Sequence, residues 1–460
     1  MDISAAEILK VVGGEPLGAW NEALGINKIS TDTRTLEKDD AFFALRGSRF
    51  DGHDFISEAF AKGARNFIVS DGRRVPPDIQ KTTPVILVAD TLKAYGDLAK
   101  AYRQKFKIPA VAVTGSVGKT TVKELVSHLL SGHFLVLKNR GTENNLVGVP
   151  RTILQLEPRH ELLVLEMGTS APGEIDRLAS ILAPQIGVVT QIGHSHLSGL
   201  EGLEGVKAEK LSLIRHVERG GILVINGEDP NLHGVSSGVH KVLRAGFSKE
   251  TQELAAERIQ CDERGCAFKA GGIPFETQLI GRHNVLNCLL AMLVVRALGK
   301  DFSSLRKDLA SFKAVPGRLT LKSVEGIRFI DDSYNSNPVS FRAALAALEG
   351  FKSARRKGVV CGDMLELGEQ AESLHRELGA AMARSVIDFI IAAGPFSRGL
   401  VDEAVKSGFD SKKIFHVSDS YEAGRLCREV AAPGDVVLIK GSRGLQMEKV
   451  FECFITSSTR

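Results

Sequence analysis

Lys119 follows a turn of glycines in the run Thr114-Gly115-Ser116-Val117-Gly118-Lys119-Thr120-Thr121. A primary ammonium there can neutralise a β- or γ-phosphate, and a following hydroxyl, Thr120, can hold a divalent cation. The apolar run Ala110–Val113 before it reads as a strand, and Val122–Leu130 after it reads as a helix. Free backbone N–H groups and the positive end of the helix macrodipole then point at one spot. The spacing departs from the Walker pattern, which places a glycine where this chain has Val113. A glycine turn that merely caps a helix is the alternative, and the strand before and helix after favour the nucleotide. The loop implies a bound triphosphate and leaves open what its energy is used for.

Other polar groups fall at strand ends, where doubly wound sheets bind their ligands. Glu166 ends the run Leu162–Leu165 and reads either as a Mg²⁺ ligand or as a cap of the next helix. His194 and His196 follow the strand Ile186–Thr190, as ligand candidates or as surface histidines. Asn144-Asn145 with Gly148 and Pro150 reads as a loop. Gly281-Arg282-His283-Asn284 opens a helix, with Asn284 as a cap and Asn287 one turn in, able to read a base edge. Further on, Pro316-Gly317-Arg318 and Asp331-Asp332-Ser333-Tyr334-Asn335-Ser336-Asn337-Pro338 crowd polar groups after Phe329-Ile330. Lys440-Gly441-Ser442-Arg443 ends the last strand, either as a surface charge pair or as an anion site.

The elements that must position these groups alternate. Near-continuous apolar runs, among them Gly221–Ile225, Gly358–Val360, Phe389–Ala393 and Asp435–Ile439, read as buried parallel strands. Helical patterns such as Leu92–Phe106 and Phe341–Leu348 lie between them, so a doubly wound α/β class is expected. With 460 residues the chain exceeds one hydrophobic core. Pro76-Pro77 and Lys81-Thr82-Thr83-Pro84 suggest one boundary and Ala314-Val315-Pro316 another. Three domains are expected at 1–83, 84–314 and 315–460, the central one of P-loop ATPase type and the last Rossmann-like but without G-x-G-x-x-G.

Composition narrows the function. The 59 basic and 55 acidic residues leave too small an excess to argue for nucleic acid, and no basic run is interleaved with aromatics. The start, Met1-Asp2-Ile3-Ser4, lacks the basic and apolar regions of a signal peptide. No apolar run reaches the roughly 18 residues that span a bilayer. The six cysteines are scattered. Cys261 and Cys266, the nearest pair, lack a second ligand pair for zinc, so reduced thiols in a cytoplasmic protein are expected.

Together these motifs resemble the Mur ligase family across essentially the whole chain. The shortened phosphate loop, Asn144-Asn145-x-x-Gly148-Val149-Pro150, Glu166-Met167-Gly168, the 331–338 run, Gly362-Asp363-Met364-Leu365-Glu366-Leu367-Gly368 with His375 after it, and Lys440-Gly441-Ser442-Arg443 carry the likeness. The N-terminal Thr31-Asp32-Thr33-Arg34 and Asp51-Gly52-His53 also fit. Gln191, where the family usually has Asn, and Thr33, where Ser is commoner, are conservative departures.

The resemblance implies an ATP-dependent ligase that adds D-alanyl-D-alanine to UDP-N-acetylmuramoyl-tripeptide through an acyl phosphate. Its first domain would bind the UDP end of the substrate through Thr31, Asp32, Thr33, Arg34, Asp51, Gly52 and His53. Thr114 to Thr121 would hold ATP, with Asn287 at adenine and Arg318 and Asp332 reaching over from the third domain. Thr120, Glu166, His196 and Lys210 would hold Mg²⁺, Lys210 as the position carbamylated in relatives. Lys119, Glu166, His196, Lys210 and Arg318 are the expected catalytic set. Asn144, Asn145, Tyr334, Asn335, Asn337, Lys440, Ser442 and Arg443 are the remaining substrate residues. No segment argues for an oligomer, so a monomer is expected. Another Mur-type or folylpolyglutamate-type ligase shares the central domain. A P-loop ATPase switch is the alternative from another class. The 331–338 and 362–368 motifs favour D-alanyl-D-alanine addition.

Overall fold

The computed structural model describes residues 3–22, 24–47, 50–236, 238–248 and 252–455; Met1 and Asp2 of the N-terminal reading lie outside them. The chain divides into two compact units. One comprises Met1–Ala112, Phe134–Gly168 and Glu174–Pro184; the other comprises Val113–His133, Thr169–Gly173 and Gln185–Arg460.

The first unit holds a five-stranded sheet in the order Glu15–Leu17, Val85–Leu87, Asn66–Val69, Ala41–Phe43, Ile29–Ser30. All neighbours run parallel except Glu15–Leu17, which is antiparallel to Val85–Leu87. Ala41–Phe43 and Asn66–Val69 are buried throughout, as parallel strands covered on both faces must be. Phe42, Phe67, Ile56 and Val85 share one core. A boundary after residue 83 would cut this sheet, because Val85–Leu87 pairs with two of its strands. The helix Thr91–Gln104 follows, started by Asp90, whose carboxylate accepts from the Leu92 and Lys93 N–H groups at 2.8 and 3.0 Å.

A nine-stranded sheet follows, in the order Ile273–Thr277, Gly265–Ala270, Leu254–Asp262, Lys241–Gly246, Ile222–Asn226, Ile186–Val189, Ala110–Thr114, Leu162–Glu166, Val136–Lys138. Every residue of Ala110–Thr114 and of Leu162–Glu166 is buried, so both apolar runs fold as expected. The three strands from Leu254 to Thr277 form an antiparallel extension. Its first turn places Cys261 directly opposite Cys266, and the two form a disulfide. That corrects the reading of this pair as thiols: hairpin register, not sequence spacing, brings them together. Cys288, Cys361, Cys427 and Cys453 are free.

The run Asn144–Pro150 also differs from expectation. A helix, Gly148–Ile153, begins inside it. The Asn145 side-chain oxygen accepts from the Val147 and Gly148 N–H groups at 3.1 and 2.9 Å, and Pro150 falls in the first turn, where its missing N–H costs nothing.

A six-stranded sheet closes the chain, in the order Thr320–Val324, Ile327–Asp332, Val436–Lys440, Lys357–Gly362, Phe389–Ala393, Ile414–Val417. It is parallel apart from its first strand. Its register sets Asp332 beside Lys440 at the carboxyl ends of two central strands. Among the described residues no helix is long and apolar enough to cross a membrane.

Candidate active site

The phosphate loop sits between the strand Ala110–Thr114 and the helix Lys119–Leu130. Gly115 and Gly118 have φ of +142° and +88°. A Cβ on Gly115 would fall 2.1 Å from Thr190 Oγ1, and one on Gly118 would fall 2.6 Å from Asn287 Oδ1. The glycines therefore serve twice, turning the backbone and admitting two neighbours. The Lys119 ammonium donates to the Gly115 carbonyl at 2.8 Å and so lies across its own loop. Asn287 is buried in the helix Arg282–Ala297, its amide donating to Asn284 Oδ1 at 2.9 Å. Asn284 does not cap that helix as the sequence suggested; Gly281 stands at the cap, and the Asn284 amide donates to the Ile280 carbonyl.

Ser116 ties this loop to the histidine segment. Its hydroxyl donates to the Gly193 carbonyl at 2.9 Å and accepts from the Gly193 N–H at 3.0 Å and from the Ser195 hydroxyl at 2.9 Å. The Ser116 N–H donates to the Gln191 carbonyl at 2.7 Å. Asp229 holds the same segment by accepting from the Ile192 N–H at 2.6 Å. His196 ends it with φ +54°, and its Nδ1 lies 2.6 Å from Glu366 Oε2. The Glu366 carboxyl is held below its usual value by this bond, against the opposing effect of burial.

From the last sheet, the Arg318 guanidinium donates to the Thr120 hydroxyl at 3.2 Å and stacks 4.3 Å from the Tyr334 ring. The Asp332 carboxylate fixes the turn carrying Arg318 by accepting from the Leu319 N–H at 3.2 Å. The buried Lys440 ammonium donates to Asp332 Oδ2 at 2.6 Å and to the Asn335 carbonyl at 3.0 Å. Burial pushes the Asp332 carboxyl up and the Lys440 ammonium down, and their attraction offsets part of each shift. Asn337 caps the helix Pro338–Glu349 in a reciprocal box with Ser340. Ser442 accepts from the Leu365 N–H at 2.8 Å, and Arg443 pairs with Glu448 at 2.5 Å.

In the other unit, Glu166 is almost wholly buried. Its Oε1 accepts from the Asn144 amide at 2.7 Å, while Oε2 has no hydrogen-bond partner. A buried carboxylate oxygen left unpaired is costly and calls for a cation. The unpaired Oε2 suits Glu166 to the role of a cation ligand. Lys210 is buried on the helix Leu203–Leu211, beside Glu209, which accepts from the Gly173 N–H at 2.7 Å. Among the described residues no three His, Cys, Asp or Glu side chains gather as a metal cluster.

The N-terminal candidates hold one another. Asp32 accepts three hydrogen bonds from the Arg34 side chain, which holds its carboxyl at about 2 against burial. Asp51 accepts from His53 Nδ1 at 2.6 Å and from Arg74 at 2.5 Å, and these bonds outweigh burial to keep its carboxyl far below the usual range. His53 Nε2 accepts from the Ser70 N–H at 3.0 Å. Thr31 Oγ1 accepts from Arg151 at 3.3 Å.

Four supporting residues escaped the sequence reading. Thr190 donates to the Val117 carbonyl at 2.5 Å, Asn139 brackets the Glu166 backbone with two hydrogen bonds, and Asp229 and Glu366 act as above. Only Glu366 carried a signal, its place in the 362–368 motif. That segment is clamped from three sides. Asp363 accepts from the Ser397 N–H and hydroxyl at 2.7 and 2.6 Å. His375 Nε2 accepts from the Met364 N–H at 2.9 Å, and its Nδ1 donates to the Ala371 carbonyl at 2.6 Å. Burial lowers the His375 pKa and so keeps the neutral ring that this pairing needs. Ser442 holds Leu365.

Comparison with known proteins agrees along the whole chain. Three family models match: the Mur ligase family catalytic domain at residues 25–103, the Mur ligase middle domain at 113–295 and the Mur ligase glutamate ligase domain at 317–443. The UDP-N-acetylmuramoyl-tripeptide–D-alanyl-D-alanine ligase of Bacillus subtilis is 34% identical over 453 residues, 98% of each chain. A crystal structure of MurF from Acinetobacter baumannii superposes with a TM-score of 0.89 at 29% identity over 99% of both chains. MurF ligase from Thermotoga maritima in complex with ADP gives 0.83 at 30% identity, covering 93% of this chain and 96% of that one.

Proposed function

The chain belongs to the Mur ligase family, and from that premise we propose that it joins D-alanyl-D-alanine to UDP-N-acetylmuramoyl-tripeptide with ATP, in cytoplasmic peptidoglycan precursor synthesis. The observation that carries this reading is the full-length likeness to ligases of that name, together with the phosphate loop, Asn287 and Arg318 gathered in one compact unit.

The chemistry has two steps. A carboxylate resists attack by an amine at neutral pH. Its oxygen first attacks the γ-phosphorus of ATP, giving an acyl phosphate and ADP. The amine of D-alanyl-D-alanine then attacks the acyl carbon, phosphate leaves, and the amine's surplus proton passes to solvent. The first step sets an anion against a polyanion. Lys119 and the loop N–H groups would bind the phosphates, and Arg318 would stabilise charge on the transferring group. Mg²⁺ held by Thr120, Glu166, His196 and Lys210, the last as its carbamate, would add charge neutralisation there. Asn287 would bind adenine, with Asp332 positioning Arg318. Thr31–Arg34 and Asp51–His53 would take the UDP end. Asn144, Asn145, Tyr334, Asn335, Asn337, Lys440, Ser442 and Arg443 would shape the peptide and dipeptide sites. The third domain would begin near residue 314. Exclusion of water from the acyl phosphate gives the third domain a reason to close.

A phosphate-release assay tests the reading. Release is expected only with ATP, the UDP-tripeptide and D-alanyl-D-alanine together. Steady release from ATP alone would indicate a nucleotide switch instead, and release with a single amino acid in place of the dipeptide would indicate another ligase of the family.

A further inference from the structure

His196 and Glu366 meet with both backbones in the left-handed region, at φ +54° and +63°. Neither residue is glycine, and such conformations persist only where the surroundings enforce them. Both surroundings do. The His196 segment is bound to Ser116 and Asp229, and the Glu366 segment to Asp363, His375 and Ser442. The contact has two strands: the Glu366 carboxylate meets His196 Nδ1 at 2.6 Å, and the Glu366 carbonyl accepts from the Ser198 N–H at 3.4 Å.

An ionised carboxylate can only accept, so Nδ1 is the ring nitrogen that carries the proton. In the neutral ring Nε2 then keeps its lone pair, on the side of the ring away from Glu366. A histidine that binds a metal commonly has its other nitrogen oriented by a carboxylate in this way.

We propose that Glu366 is a positioning residue, holding His196 in the tautomer and orientation that present Nε2 to a divalent cation. The inference rests on the cation role proposed for His196. It makes cation binding depend on the segment 362–368, which reaches His196 from the last sheet.

Mn²⁺ bound to the full-length protein with ADP is the probe, and electron spin-echo modulation from a coordinated imidazole nitrogen is the readout. The modulation is expected in the wild type and absent in His196→Ala. In Glu366→Ala it should fall several-fold, in line with the 10- to 100-fold losses of metal affinity that such partners cause. Glu366→Gln, whose amide oxygen still accepts from Nδ1, should restore most of it. The Glu366 side chain is only partly covered, 58% of it remaining exposed, so a wild-type melting temperature is expected in both variants. Full modulation in Glu366→Ala, or equal loss in the Ala and Gln variants, would overturn the proposal alone. No nitrogen modulation in the wild type would overturn it together with the cation role of His196.

Discussion

Arg318 donates to the hydroxyl of Thr120 across 198 residues of sequence. The hydroxyl belongs to the first turn of the helix behind the phosphate loop, and the guanidinium to the turn before the last sheet. A cation on one element thus touches the group expected to hold a metal on the other. Replacing Arg318 with Lys keeps the charge and loses both the planar fork and the stacking on Tyr334. The variant should lose on the order of 10-fold or more in kcat, with a smaller change in KM for ATP, as steady-state kinetics would show. An unchanged kcat would remove Arg318 from phosphoryl transfer.

Lys119→Ala should lose activity by orders of magnitude and fold normally. Its ammonium is bonded to the carbonyl of Gly115 in its own loop. Circular dichroism and turnover measured on the same sample separate the two effects; near-normal turnover would refute the phosphate-loop assignment.

Glu166→Gln replaces an orphaned carboxylate oxygen with a neutral amide and leaves the cavity filled. Activity should fall steeply at low Mg²⁺ and recover only in part as Mg²⁺ rises. A Mg²⁺ titration matching the wild type would show that Glu166 binds no metal.

Lys440→Met leaves Asp332 buried without its partner. Removing one member of a buried pair costs about 3–5 kcal/mol, so chemical denaturation should show a loss of that order. Asp332→Asn with Lys440→Met should recover part of it. Equal stability of Lys440→Met and wild type would mean that the pair contributes nothing to the fold.

Asp32 supplies a pH test. Its folded pKa, about 2, lies below the ordinary 3.8. Such a depressed carboxyl contributes stability that is complete above the ordinary value and is lost as pH falls through the folded one. The loss therefore falls between about pH 4 and 2. Arg34→Met should move the Asp32 carboxyl resonance, followed by NMR titration, back toward its ordinary midpoint. A midpoint that stays low would assign the shift to other neighbours.

Much of the architecture was legible because it is local. Ala110–Thr114, the glycines after it and the helix from Lys119 lie within about twenty residues, and each announces itself by apolar run, turn chemistry or periodicity. The sheets followed from buried runs such as Leu162–Glu166 and Phe389–Ala393. What stayed hidden depends on register or on distant loops. Cys261 and Cys266 are paired by a hairpin turn. Val85–Leu87 joins the first sheet beyond a proline-rich stretch that looked like a linker. Asn287 approaches Gly118 only because two helices pack together. Asn139, Thr190 and Asp229 carry no spacing signal, since each is defined by the backbone it holds.

The hydrogen bond from the Met364 N–H to His375 has a consequence for genetic screens. His375 is buried and lies eleven residues after Met364, and its ring holds the segment that delivers Glu366. A knockout scan scored by growth would single out this histidine beside His196 and invite its assignment as an acid or base. The two separate by rescue. A glutamine at 375, whose side-chain oxygen can accept the Met364 proton, could restore the segment, whereas no such hydrogen-bond mimic supplies the ring nitrogen of His196.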